Sequence, residues 1–165
     1  GLVTFIVTLN MLSMPSIKKL MEGILELQRI HNVTKTRRDE NGKLIFYGIH
    51  RVYVDTPALH FPAWQSLKVL PKEFWHYGDE CLEFMKANPD KNRESRWVGF
   101  KPHQIARFSR SLDFMKQGFS SLEEEIEAQE NFVRFFEEYD NRRGLDFHAT
   151  FPELGPYYNK WKDRS

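Results

Sequence analysis

The run Leu2-Val-Thr-Phe-Ile-Val-Thr-Leu9 is continuously apolar or β-branched. That is the pattern of a strand covered on both faces, as in a parallel sheet flanked by helices. Ser13-Met-Pro-Ser16 then supplies hydroxyl caps and an early proline, and Ile17, Leu20, Met21, Ile24, Leu25 and Leu27 recur at helical spacing to about Ile30. Asn41-Gly42 lies between two β-prone runs and predicts a hairpin over residues 33–47. A further strand follows at Arg51 to Val54. The first half therefore reads β, α, hairpin, β, and a crossover helix between strands favours their parallel pairing.

The stretch from Val52 to Leu70 carries the most information. Its β-branched run stops at Asp55-Thr-Pro57 and continues into an aromatic loop containing Pro62. Proline lacks an amide proton and fixes φ, so the strand ends near Asp55 and the loop through Trp64 is semi-rigid. Such a loop at a strand end either holds a ligand or, through Leu59, Phe61 and Trp64, roofs a core.

Beyond Pro71 the period becomes helical. Lys72 to Ala87 reads as a helix loosened at Gly78 and ended by Asn88-Pro89, and Asp90 to Arg96 as a charged loop. Pro102 to Gln117 is a helix closed by Gly118, with Ile105, Phe108, Leu112 and Met115 along one face. Ser120-Ser121 with Glu123 and Glu124 forms a capping box that opens a long helix to Asp140, finished by Arg142, Arg143 and Gly144. The expected class is α/β, with mixed α+β as the variant. Residues 1–71 hold the strands, one helix and the hairpin, and residues 72–165 form a helical region packed on them.

At 165 residues the chain is one domain's worth. With 14 Phe, 6 Tyr and 4 Trp it is aromatic enough to fold. Lys plus Arg number 24 against 23 Asp plus Glu, so nothing attracts the whole chain to nucleic acid, and any basic patch is local. Candidates are Lys35 to Arg38, Arg107-Phe-Ser-Arg110 and Arg142-Arg143. Cys81 is the sole cysteine, which excludes an internal disulfide and any site built from several thiolates of this chain; its surroundings read as a buried small hydrophobe. No apolar run of about 18 residues and no signal peptide is visible, so no membrane partner is expected and a reducing, cytoplasmic location is the default. The opening Gly-Leu-Val-Thr reads as a cut edge directly before a strand.

No phosphate loop, nucleophile elbow or metalloprotease helix is present, and no catalytic or metal-binding residue is assigned. His60, on the loop after the strand, is the histidine to watch.

Three segments taken together resemble a known family: Thr8-Leu-Asn10 leading into Leu12-Ser-Met-Pro-Ser16, Asp55-Thr-Pro57 with Pro62-Ala-Trp-Gln-Ser66 and Leu70-Pro71, and Tyr139-Asp-Asn-Arg-Arg-Gly-Leu-Asp-Phe-His-Ala-Thr-Phe-Pro-Glu153. Their order and spacing are similar to the C-terminal portion of radical S-adenosylmethionine proteins of the subgroup with a twitch-type C-terminal region. The resemblance implies the last strands of a partial (β/α)6 barrel plus a helical tail. In that family a Cys-x3-Cys-x2-Cys loop holds a 4Fe-4S cluster, and S-adenosylmethionine binds at the carboxyl ends of the strands. This chain lacks the cysteine loop and the early strands. By resemblance, Thr8 and Asn10 would face the cofactor from a late strand, Asp55 and Thr56 would end the final strand, and Trp64 and Gln65 would lie near the adenine or the substrate opening.

The resemblance thus implies cofactors of the parent, S-adenosylmethionine and the cluster, which this chain alone does not hold. It implies as partner the missing N-terminal half of the barrel, with self-association through an open strand edge where that half is absent. A protein-interaction module built on the Phe- and Trp-rich helices is the alternative, and nucleic acid a less favoured partner.

Overall fold

A computed structural model describes residues 1–93 and 96–164. Strand β1 (Val3–Ile6) leads through a short 3-10 turn at Met14–Ser16 into α1 (Ile17–His31), then into a hairpin of β2 (Val33–Arg38) and β3 (Leu44–Ile49), and on to β4 (Val52–Asp55). Pairing of β1 with β4 is parallel, in the register Val3 to Val52 through Ile6 to Asp55. Pairing of β2 with β3 is antiparallel around Asn41-Gly42, where Gly42 has φ of 76°. Both match the reading of the first half.

The loop after β4 is tightened by 3-10 turns at Ala63–Gln65, Leu67–Val69 and Lys72–Phe74. Helix α2 (Trp75–Ala87) runs unbroken through Gly78. There the sequence suggested loosening, but the glycine serves close approach: a Cβ at residue 78 would lie 2.6 Å from Leu112 Cδ2 on α3 (Pro102–Gln117). Residues 90–96 also differ from expectation. Instead of a charged loop, β5 (Lys91–Arg93) pairs antiparallel with β6 (Arg96–Val98); Glu94 and Ser95, between them, lie outside the described residues. Helix α4 (Leu122–Arg143) starts as predicted, with Ser121 Oγ accepting from the Glu124 amide at 3.2 Å and Glu124 Oε2 accepting from the Ser120 amide at 3.1 Å. It ends at left-handed Gly144. Two short helices, α5 (Phe147–Thr150) and α6 (Gly155–Lys162), complete the chain and were not legible in its pattern.

Both halves of the chain feed one core. Helix α1 contributes Ile17, Met21, Ile24 and Leu25, β4 contributes Val52 and Val54, α3 contributes Phe108 and Leu112, and α4 contributes Phe132 and Val133. Phe132 has the rings of Phe136, Phe147 and Trp161 at 4.7, 5.5 and 5.7 Å, an edge-and-tilt arrangement that adds to the burial of apolar area. The molecule is mixed α/β, with small two-stranded sheets set among helices. Among the described residues no helix is long and apolar enough to cross a membrane.

The expectation that β1 is covered on both faces is corrected. Phe5 and Val7 lean on the core, but Leu2, Val3 and Ile6 are 65%, 52% and 70% exposed. Among the described residues only β4 pairs with β1, so its second edge and its second face meet solvent.

Candidate functional site

The pleat of β4 sorts its residues. Val52, Val54 and Thr56 are buried against the helices, whereas Tyr53 and Asp55 point to the other face beside Ile6 of β1. The two edges of this small sheet are built differently. Carbonyls of Arg51, Asp55 and Pro57 accept from Val3, Val7 and Leu9 on the β1 side. Alternate carbonyls face the opposite edge, where side chains close them. Gln28 Nε2 donates to the Val52 carbonyl at 3.4 Å, Gln104 Nε2 to Val54 at 2.9 Å, and Ser111 Oγ to Thr56 at 3.1 Å. Beyond β4 the sheet cannot grow. On β1, the amides of Thr4, Ile6 and Thr8 alternate with those turned to β4 and so point to the open edge.

Where β4 ends, a cleft of about 490 Å³ opens between the loop and α3, lined by Pro57, His60, Arg107, Arg110, Ser111 and Phe114. Asp55 Oδ1 lies 2.9 Å from Arg107 Nε and also accepts from the Thr56 amide at 3.1 Å, so the last acid of the strand fixes a guanidinium at the rim. Phe114 carries the His60 ring at 4.3 Å between centroids and the Lys68 ammonium at 4.7 Å. A ligand here would meet cationic groups, an aromatic floor and a polar rim, at the carboxyl end of a parallel strand where α/β sheets commonly bind ligands.

The register brings Thr8, Asn10, Asp55 and Thr56 to the same end of the sheet. Thr8 is exposed there. Asn10 is engaged in the turn: its Oδ1 accepts from the Leu12 and Ser13 amides, each at 3.0 Å. Thr56 is buried and contributes its backbone to the Ser111 contact. Trp64 turns away from the cleft to Phe135 of α4, with ring centroids 4.4 Å apart, and the Gln65 carbonyl accepts from the Met11 amide at 3.3 Å. The residues that line the cleft from α3 were not assigned to a site by sequence. Their signal existed in the tract Arg107-Phe-Ser-Arg110, because positions three apart share a helix face, but not the fact that this face sits beside β4.

The cluster of the implied parent does not fit this chain's donors. Cys81 is fully buried, and burial pushes its thiol up to about 12, so it is neither a thiolate nor accessible. Among the described residues no group of three or more His, Cys, Asp and Glu could hold a metal ion.

Compared with known proteins, the chain matches no family model, no curated protein and no solved structure.

Proposed function

We propose that this chain is a late wall of a radical S-adenosylmethionine barrel, supplying the cofactor- and substrate-side strand ends and inactive without the strands that carry the cluster. The observation that carries this reading is the asymmetry of the β1/β4 sheet. One edge is closed by Gln28, Gln104 and Ser111, and the other is an open parallel edge bearing Leu2, Val3 and Ile6. A partial barrel needs such a last strand, sealed on the outside. The penultimate strand must then be ready to pair with one before it. The face of Ile6, Tyr53 and Asp55, turned away from the core, would be the barrel's interior, and the cleft beside His60 its mouth. Within this reading the chain's own residues bind and orient: Asp55 holds Arg107 at the rim, and Phe114 with Pro57 offers an apolar floor.

Reconstitution with iron and sulfide, followed by assay for 5′-deoxyadenosine, tests the reading. The chain alone is expected to give neither cluster nor product. Together with the polypeptide encoded ahead of Gly1 in the same reading frame, it is expected to give both. A reading frame without a Cys-x3-Cys-x2-Cys loop, or cluster formation by this chain alone, would remove the proposal.

A protein-interaction module is the second reading. In its favour is an apolar groove of about 380 Å³ lined by Phe135, Tyr139, Leu145, Phe147 and Phe151.

A further inference from the structure

We infer that the cleft at the end of β4 is an oxyanion subsite, in which Arg110 and Arg107 hold a carboxylate or phosphate group against the Phe114 ring. Calling that group part of a substrate rests on the barrel reading; the binding itself does not. Arg107 and Arg110 line the cleft and Lys68 sits over Phe114 beside it, and among the described residues Asp55 is the acid that pairs with one of these cations, Arg107. The chain as a whole carries only +1, so this clustering of cations is not a sample of a generally basic surface. Asp55 engages Arg107 through Nε, and a guanidinium has five N–H donors, so others remain for a ligand. Arg110 has no hydrogen-bond or ion-pair partner among the described residues. Three residues apart on α3, the two guanidinium groups share a face and both line the cleft.

The chemistry is that of planar donors matched to a planar or tetrahedral oxyanion, where bidentate contacts give strength and orientation. Phe114, with His60 against it and Pro57 alongside, gives the non-ionic part of the same ligand an apolar floor. The cleft has the volume of a small-molecule site rather than of a track for a polyanion.

The test is titration of the isotopically labelled 165-residue chain, at fixed ionic strength, with inorganic phosphate and separately with acetate, followed by amide NMR shifts. Saturable shifts confined to residues 56–60 and 107–114 are expected with at least one of the two. Saturation with phosphate alone assigns a phosphoryl group, and saturation with acetate alone a carboxylate. Arg110→Gln should weaken the affinity about tenfold, the effect of losing a charge-assisted contact. Arg142→Gln, which removes a cation paired with Glu138 on α4, should leave it unchanged. Arg110 is exposed, so its replacement leaves the core intact. Linear shifts spread over the basic surface, no shifts, or equal affinity in Arg110→Gln would overturn the inference. Because the titration needs no cluster or partner strand, its failure leaves the reconstitution result standing, and the converse holds.

Discussion

Asn32 joins three parts of the molecule through one fully buried side chain. Its Oδ1 accepts from the Arg51 and Val52 amides at 2.7 and 3.1 Å, and its Nδ2 donates to the Trp97 carbonyl at 2.8 Å. It thus positions the start of β4 against β6. Replacing it by alanine strands backbone groups away from water, so Asn32→Ala is expected to cost about 2–4 kcal/mol in denaturant unfolding. Nothing in the local pattern announces this role, because Asn32 follows a helix and reads as an ordinary stop; its partners lie 19 to 65 residues away. Cys81 is the opposite case, since its apolar neighbours on a helical pattern already place it in the core, where it lies. His50 makes a pH prediction at the same scale. Burial pushes its pKa below the ordinary 6.5, against the pull of Asp90, whose Oδ2 lies 3.8 Å away, and with the repulsion of Lys101. The unfolded chain therefore takes up this proton at higher pH than the folded chain. Stability from His50 is present above 6.5 and is lost as pH falls below it. Between about pH 7.5 and about pH 5, melting curves of His50→Gln should show a smaller loss than those of the unmodified chain.

At the scale of elements, the signals that were legible are those completed within a few residues. The α4 capping box, the glycine stops of α3 and α4, and the Asn41-Gly42 turn each form from neighbours in sequence. What failed depends on distant partners. Strands β5 and β6 are only three residues each, and the polar run Lys91, Asn92 and Arg93 takes strand form by pairing across to Val98, Trp97 and Arg96. Gly78 reads as a helix breaker until α3 is packed against it. The closure of β4 is the same kind of fact. Gln104 donates from Nε2 to the Val54 carbonyl while its Oε1 accepts from the Lys101 amide at 2.8 Å, so one buried residue seals a sheet edge and starts a helix. Gln104→Leu should cost about 2 kcal/mol by leaving both groups unpartnered. Gln104→Glu should cost more, since it keeps the Lys101 contact but sets a buried carboxylate against a carbonyl. If the two variants unfold in the reverse order, the closure does not work through these hydrogen bonds.

For the whole molecule, the reading of β, α, hairpin, β was sufficient to place Asp55 at a strand end beside β1, because parallel pairing follows from the crossover helix. It does not say which helix roofs that end, so from sequence the arginines of α3 are only a basic tract. Nor could an apolar run say whether it is covered: Leu2 to Leu9 has the composition of a central strand, yet β1 is an edge. An edge with Leu2, Val3 and Ile6 exposed and alternate amides turned away from β4 is a template for another strand. In isolation the chain is therefore expected to self-associate with rising concentration in size-exclusion chromatography. Ile6→Lys, which places a charge on the open face without touching the core, should shift it toward monomer. Hydrogen exchange separates the two readings of the chain. If it is a barrel wall, the amides of Thr4, Ile6 and Thr8 should exchange rapidly in the Ile6→Lys monomer, and those of Val3 and Val7, bonded to Arg51 and Asp55, slowly. Strong protection of Thr4, Ile6 and Thr8 in a monomer would mean that the chain covers its own edge. The asymmetry that supports the barrel reading would then be gone, leaving the interaction module with its aromatic groove on α4 as the better account.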